Sequence, residues 1–337
     1  MKNKLLAVMA IFGMVASASA VKINNNLSIN GFIDGSYATT ETGSTKSQEL
    51  GLDEVELNFV LNVGNVSGLV AIDTDGTANG FADVNGNGVN DAGDVASIDD
   101  NELFNIEQAH FTYNINDAVS VTFGRYGSAL GFEREDPAGL YTYSRAYSDG
   151  SAFNFGNVDA NVNEGLTIAY SADAYSVGVS LQNEVGADLQ DNDLDFEIRL
   201  SYTGIAGVNI GGGFTVDNEQ TGTAESDAIN FHVSRQFGKL LLAGEYSSID
   251  TSANGSAAAE GDRDAYLILA DYDINNKLGV ALRLSSEELT ATTDYDKFTI
   301  APNYAITESL GAILEYSDVD NAGNDSEEYA VELTYTF

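Results

Sequence analysis

From Leu27 to the C-terminus the chain alternates apolar and polar residues in short runs. Over Glu328–Phe337 one face carries Tyr329, Val331, Leu333 and Tyr335, and the other carries Ala330, Glu332, Thr334 and Thr336. A period of two marks a β-strand with one apolar and one wet face. Val55, Leu57, Phe59, Leu61 and Val63 likewise oppose Glu54, Glu56, Asn58 and Asn62, and Leu278, Val280, Leu282 and Leu284 share a face further on. Counted along the chain, such runs predict about sixteen strands. A face holding Glu332 cannot sit in a dry core without partners. It can face water inside a barrel whose outside is lipid.

The connections support this reading. Short turns fall at 64–65, 116–117, 172–173, 204–206, 237–238, 275–276 and 307–308. Long acidic connections fall between them, at 39–51, 75–103, 127–164, 185–192, 217–226, 250–263, 288–294 and 319–326. Short periplasmic turns and longer outer loops characterise membrane barrels. Tyr113, Tyr170, Tyr202, Tyr272, Tyr304 and Tyr335 stand near the short turns, and Tyr37, Tyr246, Tyr266, Tyr316 and Tyr329 near the long connections, all on apolar faces. Two such rings are the expected interfacial girdles. The predicted fold is therefore an all-β, transmembrane, antiparallel up-and-down barrel of about sixteen strands. Three positions depart from the pattern. Phe104 and Ile106 have the opposite parity to Ala109, Phe111 and Tyr113, which predicts a bulge near Glu107. Arg125 continues an apolar face, which places it at a rim or past a bulge, and Pro302 interrupts a strand without evident reason.

Composition adds a compartment. Residues 1–20 have a basic start, an apolar run and the ending Ala18-Ser19-Ala20, the pattern of a signal peptide, so the barrel is expected to span 21–337. The formal net charge is −38, and loss of Lys2 and Lys4 with residues 1–20 makes it −40. So acidic a chain excludes nucleic acid as a partner and favours cations. Without cysteine there are no disulfides or thiolate metal sites. The two histidines, His110 and His232, lie on separate strands with no nucleophile legible beside them, so no enzyme activity is expected. A barrel of this size encloses a water-filled channel. Its inner face includes Glu54, Glu56, Asp195, Glu197, Arg199, Glu245, Arg283, Lys297, Glu315 and Glu332. Acids outnumber bases there, so a passive channel for small hydrophilic solutes with a cation preference is expected.

The terminal strand ending in Phe337 resembles the closing strand of Gram-negative outer-membrane barrels. Gly124-Arg125-Tyr126, Gly131-Phe132-Glu133 and Tyr143-Ser144-Arg145 resemble the corresponding loop of the OmpL-like β-barrel porins. The resemblance implies a Gram-negative outer-membrane location among lipid and lipopolysaccharide, a homotrimer, and a loop over 127–164 that folds into the lumen. Glu133, Arg134, Glu135, Asp136 and Arg145 then become constriction residues, with Arg199 and Arg283 among the charges of the pore. An external loop with solvated charges is the alternative for this segment.

A second motif stands apart. Asp83, Asn85, Asn87, Gly88, Asp91 and Asp94 match the spacing of a twelve-residue Ca²⁺ loop, with Val89 offering its carbonyl. Oxygen ligands at alternate positions wrap one ion, and Gly88 permits the sharp turn. Asp94 stands where a bidentate Glu is usual, and Asn90 where the site is normally apolar. A structural Ca²⁺ site in the external loop 75–103 is expected, resembling the Asp/Asn-Gly repeats of dockerins and thrombospondin type-3 modules. Two other function classes follow from the same features. One is a barrel that binds through Ca²⁺-ordered acidic surface loops, and the other a soluble Ca²⁺-binding β protein.

Overall fold

The computed structural model describes residues 20–75, 81–82, 95–96, 105–128, 130–133, 137–148, 162–184, 194–217, 224–253, 263–290 and 293–337. Sixteen strands carry the fold. They are β1 (Leu27–Thr42), β2 (Thr45–Val63), β3 (Val66–Asp75), β4 (Asn105–Asn114), β5 (Val119–Gly127), β6 (Val162–Ser171), β7 (Tyr175–Glu184) and β8 (Asp195–Tyr202). The second half comprises β9 (Val208–Asp217), β10 (Ala224–Phe237), β11 (Leu240–Ala253), β12 (Arg263–Asp273), β13 (Leu278–Thr290), β14 (Thr293–Ala305), β15 (Leu310–Asn321) and β16 (Asn324–Thr336). Each pairs antiparallel with the next, and β16 pairs with β1 through Glu332↔Ser36 and Tyr335↔Ile33, so the sheet closes. Phe337 and Gly31 exchange backbone hydrogen bonds of 3.0 and 3.1 Å beyond the last rung. Closure gives each of the sixteen strands a neighbour on both sides, the condition for crossing lipid with strands. Val21–Lys22 adds a short extra strand against β1.

The period-two pattern becomes a two-faced wall. Ile268, Leu284, Leu314, Phe231 and Leu333 point outward and are exposed, whereas Glu245, Ser247, Arg283, Thr299, Ser317 and Glu332 point inward and are buried. The tyrosine rings form as expected, with Tyr246 and Tyr266 paired across β11 and β12 at 5.1 Å and Tyr316 and Tyr329 across β15 and β16 at 5.2 Å.

The expected irregularities acquire causes. Ala71 pairs with Gln108 and Ile72 with Ile106, so Glu107 is the bulged residue. A second bulge was not foreseen: Asp34 pairs with Glu54 and Gly35 with Leu52, leaving Asp53 as the extra residue of β2. Arg125 sits two residues from the end of β5, opposite Glu164 of β6, which is a rim position. Pro302 faces Val280 of β13, while the ladder toward β15 lapses between Ile300↔Tyr316 and Asn303↔Ile313. Its missing N–H therefore falls in a gap of the β14–β15 ladder.

Several connections expected to be long loops are strands. The segment 39–51 continues β1 and β2 to a turn between Thr42 and Thr45, and 288–294 and 319–326 are likewise mostly strand. Above the lipid both faces of a strand meet water, so Thr, Ser and Glu fill both and the apolar period vanishes while the backbone ladder runs on. The turn expected at 237–238 lies one residue later, between Phe237 and Leu240.

A positive charge at mid-lipid tests the outward face. Val331→Arg, between the girdle tyrosines of β16, is expected to cost about 2–4 kcal/mol of folding stability in vesicles, read by urea titration. A cost near zero would mean that Val331 does not face hydrocarbon.

Candidate constriction site

The segment after β5 does not leave the barrel. Residues 128, 130–133 and 137–148 lie against the inner wall, with one turn of 3₁₀ helix at Pro137–Gly139. Its described residues belong to none of the sixteen strands, so their N–H groups must find acceptors elsewhere. The wall supplies them as carboxylates. Glu245 of β11 accepts the Phe132 N–H at 2.6 Å. Glu315 of β15 accepts the N–H groups of Tyr143 at 2.7 Å and Ser144 at 3.2 Å, and the Ser144 hydroxyl. Glu287 of β13 accepts the N–H and hydroxyl of Ser148 at 3.0 and 2.7 Å, and Glu197 of β8 accepts the Ser128 hydroxyl at 2.7 Å. Hydrogen bonds to charged groups contribute roughly 1.5–3 kcal/mol each, so this set fixes the segment firmly.

One buried ion pair ties the two limbs of the segment together. Arg283 of β13 is fully buried and binds Glu133, whose other oxygen accepts the Ala146 N–H at 2.6 Å. The same guanidinium donates to Thr142 Oγ1 at 2.7 Å and to the carbonyls of Ser144 and Arg145 at 2.9 and 2.8 Å. Arg263 pairs with Glu287 one layer along. Glu133 and Arg283 thus meet as one anchor and do not oppose each other across open water.

Packing adds to the polar pins. Leu130, Ala146 and Tyr147 form a small core with Ala243, Leu267 and Leu269 on the inner faces of β11 and β12. Phe132 stacks on Tyr141 with ring planes 3° apart. A Cβ at Gly213 of β9 would overlap the Ile198 carbonyl of the neighbouring β8 as well as the end of the Leu130 side chain, so glycine is required there. Burial raises the Tyr147 and Tyr143 hydroxyls above the usual tyrosine range, so both are uncharged at neutral pH.

The remaining site residues divide. Arg145 is half-buried at the end of the segment, within electrostatic reach of Asp34 and Glu332, and Arg199 is half-buried on the inner face of β8 two residues after Glu197. Arg134, Glu135 and Asp136 lie outside the described residues, as do the Ca²⁺-motif residues Asp83, Asn85, Asn87, Val89, Asp91 and Asp94. Glu197, Glu245 and Glu315 were legible as inward charges, but their anchoring role was not. The inserted core had a signal: in Leu240–Leu242 and in Leu267–Leu269 both parities are apolar, which a wall wet on one side does not need.

The profile of the family described as "Putative beta-barrel porin-2, OmpL-like" matches residues 26–332. The chain belongs to this family. Solved porins share the architecture. OmpF of Salmonella typhi, solved in complex with daunomycin, is 14% identical, with 95% of this chain and 100% of that one covered at a TM-score of 0.68. An anion-selective porin from Comamonas acidovorans is 11% identical over 92% and 99% of the two chains at 0.66. The trimer form of OmpT of Vibrio cholerae is 12% identical over 93% and 100% at 0.58. No curated protein sequence matches the chain. The porin is thus an outer-membrane channel of a Gram-negative bacterium.

Arg283→Met tests the anchor. Breaking a buried pair from one side costs about 3–5 kcal/mol. The variant barrel should still fold, with the 128–148 segment loosened and its single-channel current noisier and larger than wild type. A quiet, unchanged current would show that the pair does not hold the segment.

Proposed function

We propose that the porin is a passive, non-enzymatic channel for small hydrophilic solutes, narrowed by the 128–148 segment and preferring cations. The observation that carries the narrowing is the position of that segment, hydrogen-bonded from Glu197 of β8 round to Glu315 of β15 and reaching Ser36 of β1 at 3.2 Å. Solutes then pass between the segment and the wall of β2–β7. The cation preference rests on charge: the inner wall carries more acids than bases and the whole chain is −38. Structural likeness does not settle the sign, because a porin of the same fold is anion-selective. Arg145 and Arg199 face the acids of the path, with Arg134, Glu135 and Asp136 as further charges of the same segment.

The surroundings follow the same reading. Residues 1–20 act as the export signal, the tyrosine girdles seat the wall in lipid, and lipopolysaccharide packs around the outer rim. Three copies associate, by analogy with the trimer form of Vibrio cholerae OmpT. In the 75–103 loop, Asp83–Asp94 holds a structural Ca²⁺. Pairing of Phe81–Ala82 with Val95–Ala96, which brings the two ends of the twelve-residue motif together, supports this reading.

In a planar bilayer under a KCl gradient, refolded 21–337 is expected to give stable steps with a cation-selective reversal potential. Insertion without steps would oppose the channel and favour the surface-binding alternative. For the Ca²⁺ site, Ca²⁺ should slow proteolytic cleavage within 75–103, and Asp83→Asn/Asp94→Asn should abolish that protection. Cleavage indifferent to Ca²⁺ would remove the ion from the account.

A further inference from the structure

The lipid-facing side of the barrel is electrically unlike at its two ends. At and beyond the outer girdle tyrosines, the outward positions of β11 to β16 carry Asp250, Asp264, Glu288, Asp296, Asp318 and Glu327. Near the short turns, the outward positions of β10 to β14 carry no acid among the described residues. Asp271 and Asp273 have the opposite parity to Tyr272 and belong to the lumen side. Bases stand there instead. Arg235 of β10 pairs with the outward Leu242, and its guanidinium lies 4.5 Å from the centre of the Phe237 ring. Lys277, just before β13, holds its ammonium 5.9 Å from the ring centre of the girdle residue Tyr304. Lys239, in the turn between β10 and β11, completes the row.

These bases have capacity to spare. Lys239 donates to the Ile274 carbonyl at 2.8 Å and Lys277 to the Ile306 carbonyl at 3.2 Å, each on the next periplasmic turn. An ammonium has three donors, so two remain on each. Among the described residues none of the three bases is in an ion pair, and Glu308, on the turn that Lys277 reaches, forms no salt bridge with it. The turns are also built for a place poor in water. Asn275 Oδ1 accepts the N–H groups of Lys277 and Leu278 at 2.9 and 3.2 Å, and Thr307 Oγ1 those of Ser309 and Leu310 at 3.2 and 3.0 Å. Ile274 and Ile306, two residues beyond the girdle tyrosines Tyr272 and Tyr304, are 45% and 37% exposed. Exposed isoleucines on turns that answer their own N–H groups belong at the level of lipid head groups.

We infer that Arg235, Lys239 and Lys277 form a rim that binds the phosphates of anionic phospholipids in the periplasmic leaflet, with the acyl chains lying along Tyr272, Tyr304 and the apolar wall between them. Charge selects the occupant: a phosphodiester meets the remaining donors of the bases, and its chains continue onto the wall that the same strands present to lipid. Lipopolysaccharide phosphates lie in the opposite leaflet, beside the acidic end. The inference does not depend on which solutes the channel passes.

The chain has no cysteine, so Ile306→Cys accepts a single fluorophore beside the rim. The labelled barrel is refolded into phosphatidylcholine vesicles containing a small share of lipid with a nitroxide high on its acyl chain, either phosphatidylglycerol or phosphatidylcholine. The phosphatidylglycerol is expected to quench about twofold more strongly, with the excess lost in strong salt. Arg235→Gln/Lys239→Gln/Lys277→Gln should make the two lipids equal, while Lys46→Gln, at the outer end, should leave the excess unchanged. Lys277→Gln alone should remove part of the excess, which keeps the test decisive if the triple variant fails to fold. Equal quenching in the wild type, or an excess that survives in every folded rim variant, overturns the rim. So does an excess lost as fully in Lys46→Gln, which would mark a general effect of charge.

Discussion

Hydrocarbon offers nothing to an unpaired N–H or C=O, and the closure of β16 onto β1 is the consequence on which the rest of this molecule depends. Once the ladder closes, each strand has one face in lipid and one in an interior that must be filled or wet. The outward positions can only be apolar or, at the two interfaces, tyrosine. The inward positions can carry Glu, Arg and Lys because water, or another part of the chain, can reach them.

The inserted segment solves a second version of the same problem. The described residues of 128–148 form only one turn of 3₁₀ helix and no strand of the wall, so their N–H groups require acceptors inside the barrel. Glu245, Glu287 and Glu315 provide them, and Arg283 satisfies the carbonyls at Ser144 and Arg145 while neutralising Glu133. Anchor and lumen thus draw on the same inward charges. Glu245, Glu287 and Glu315 have oxygens committed to holding the segment.

The lipid-spanning part of the fold was legible because burial from water acts there on every second residue. Even the bulge at Glu107 announced itself by a change of parity. Legibility failed where that pressure is absent. Above the bilayer both faces of β1 and β2 are polar, so 39–51 reads as a loop although it is strand. The bulge at Asp53 had the same kind of signal, since Leu50 and Leu52 have the opposite parity to Val55 and Leu57, but Leu50 fell in the stretch that reads as a loop. The family resemblance raised the possibility of an inserted 127–164 segment, but its anchor was not readable, since an inward Glu looks alike whether it faces water or a backbone N–H. The apolar inner residues Leu267 and Leu269 were the available clue, because a wet wall gains nothing from them.

Under the proposed function the segment inserted after β5 sets the width of the path. Liposome swelling with sugars of graded size measures that width directly. Wild-type barrel is compared with a barrel in which 129–147 is replaced by a short Gly-Ser linker. Only small sugars are expected to enter through wild type, while the shortened barrel should admit clearly larger ones. The same size limit for both folded barrels would contradict it, and would mean that the inserted segment does not govern passage.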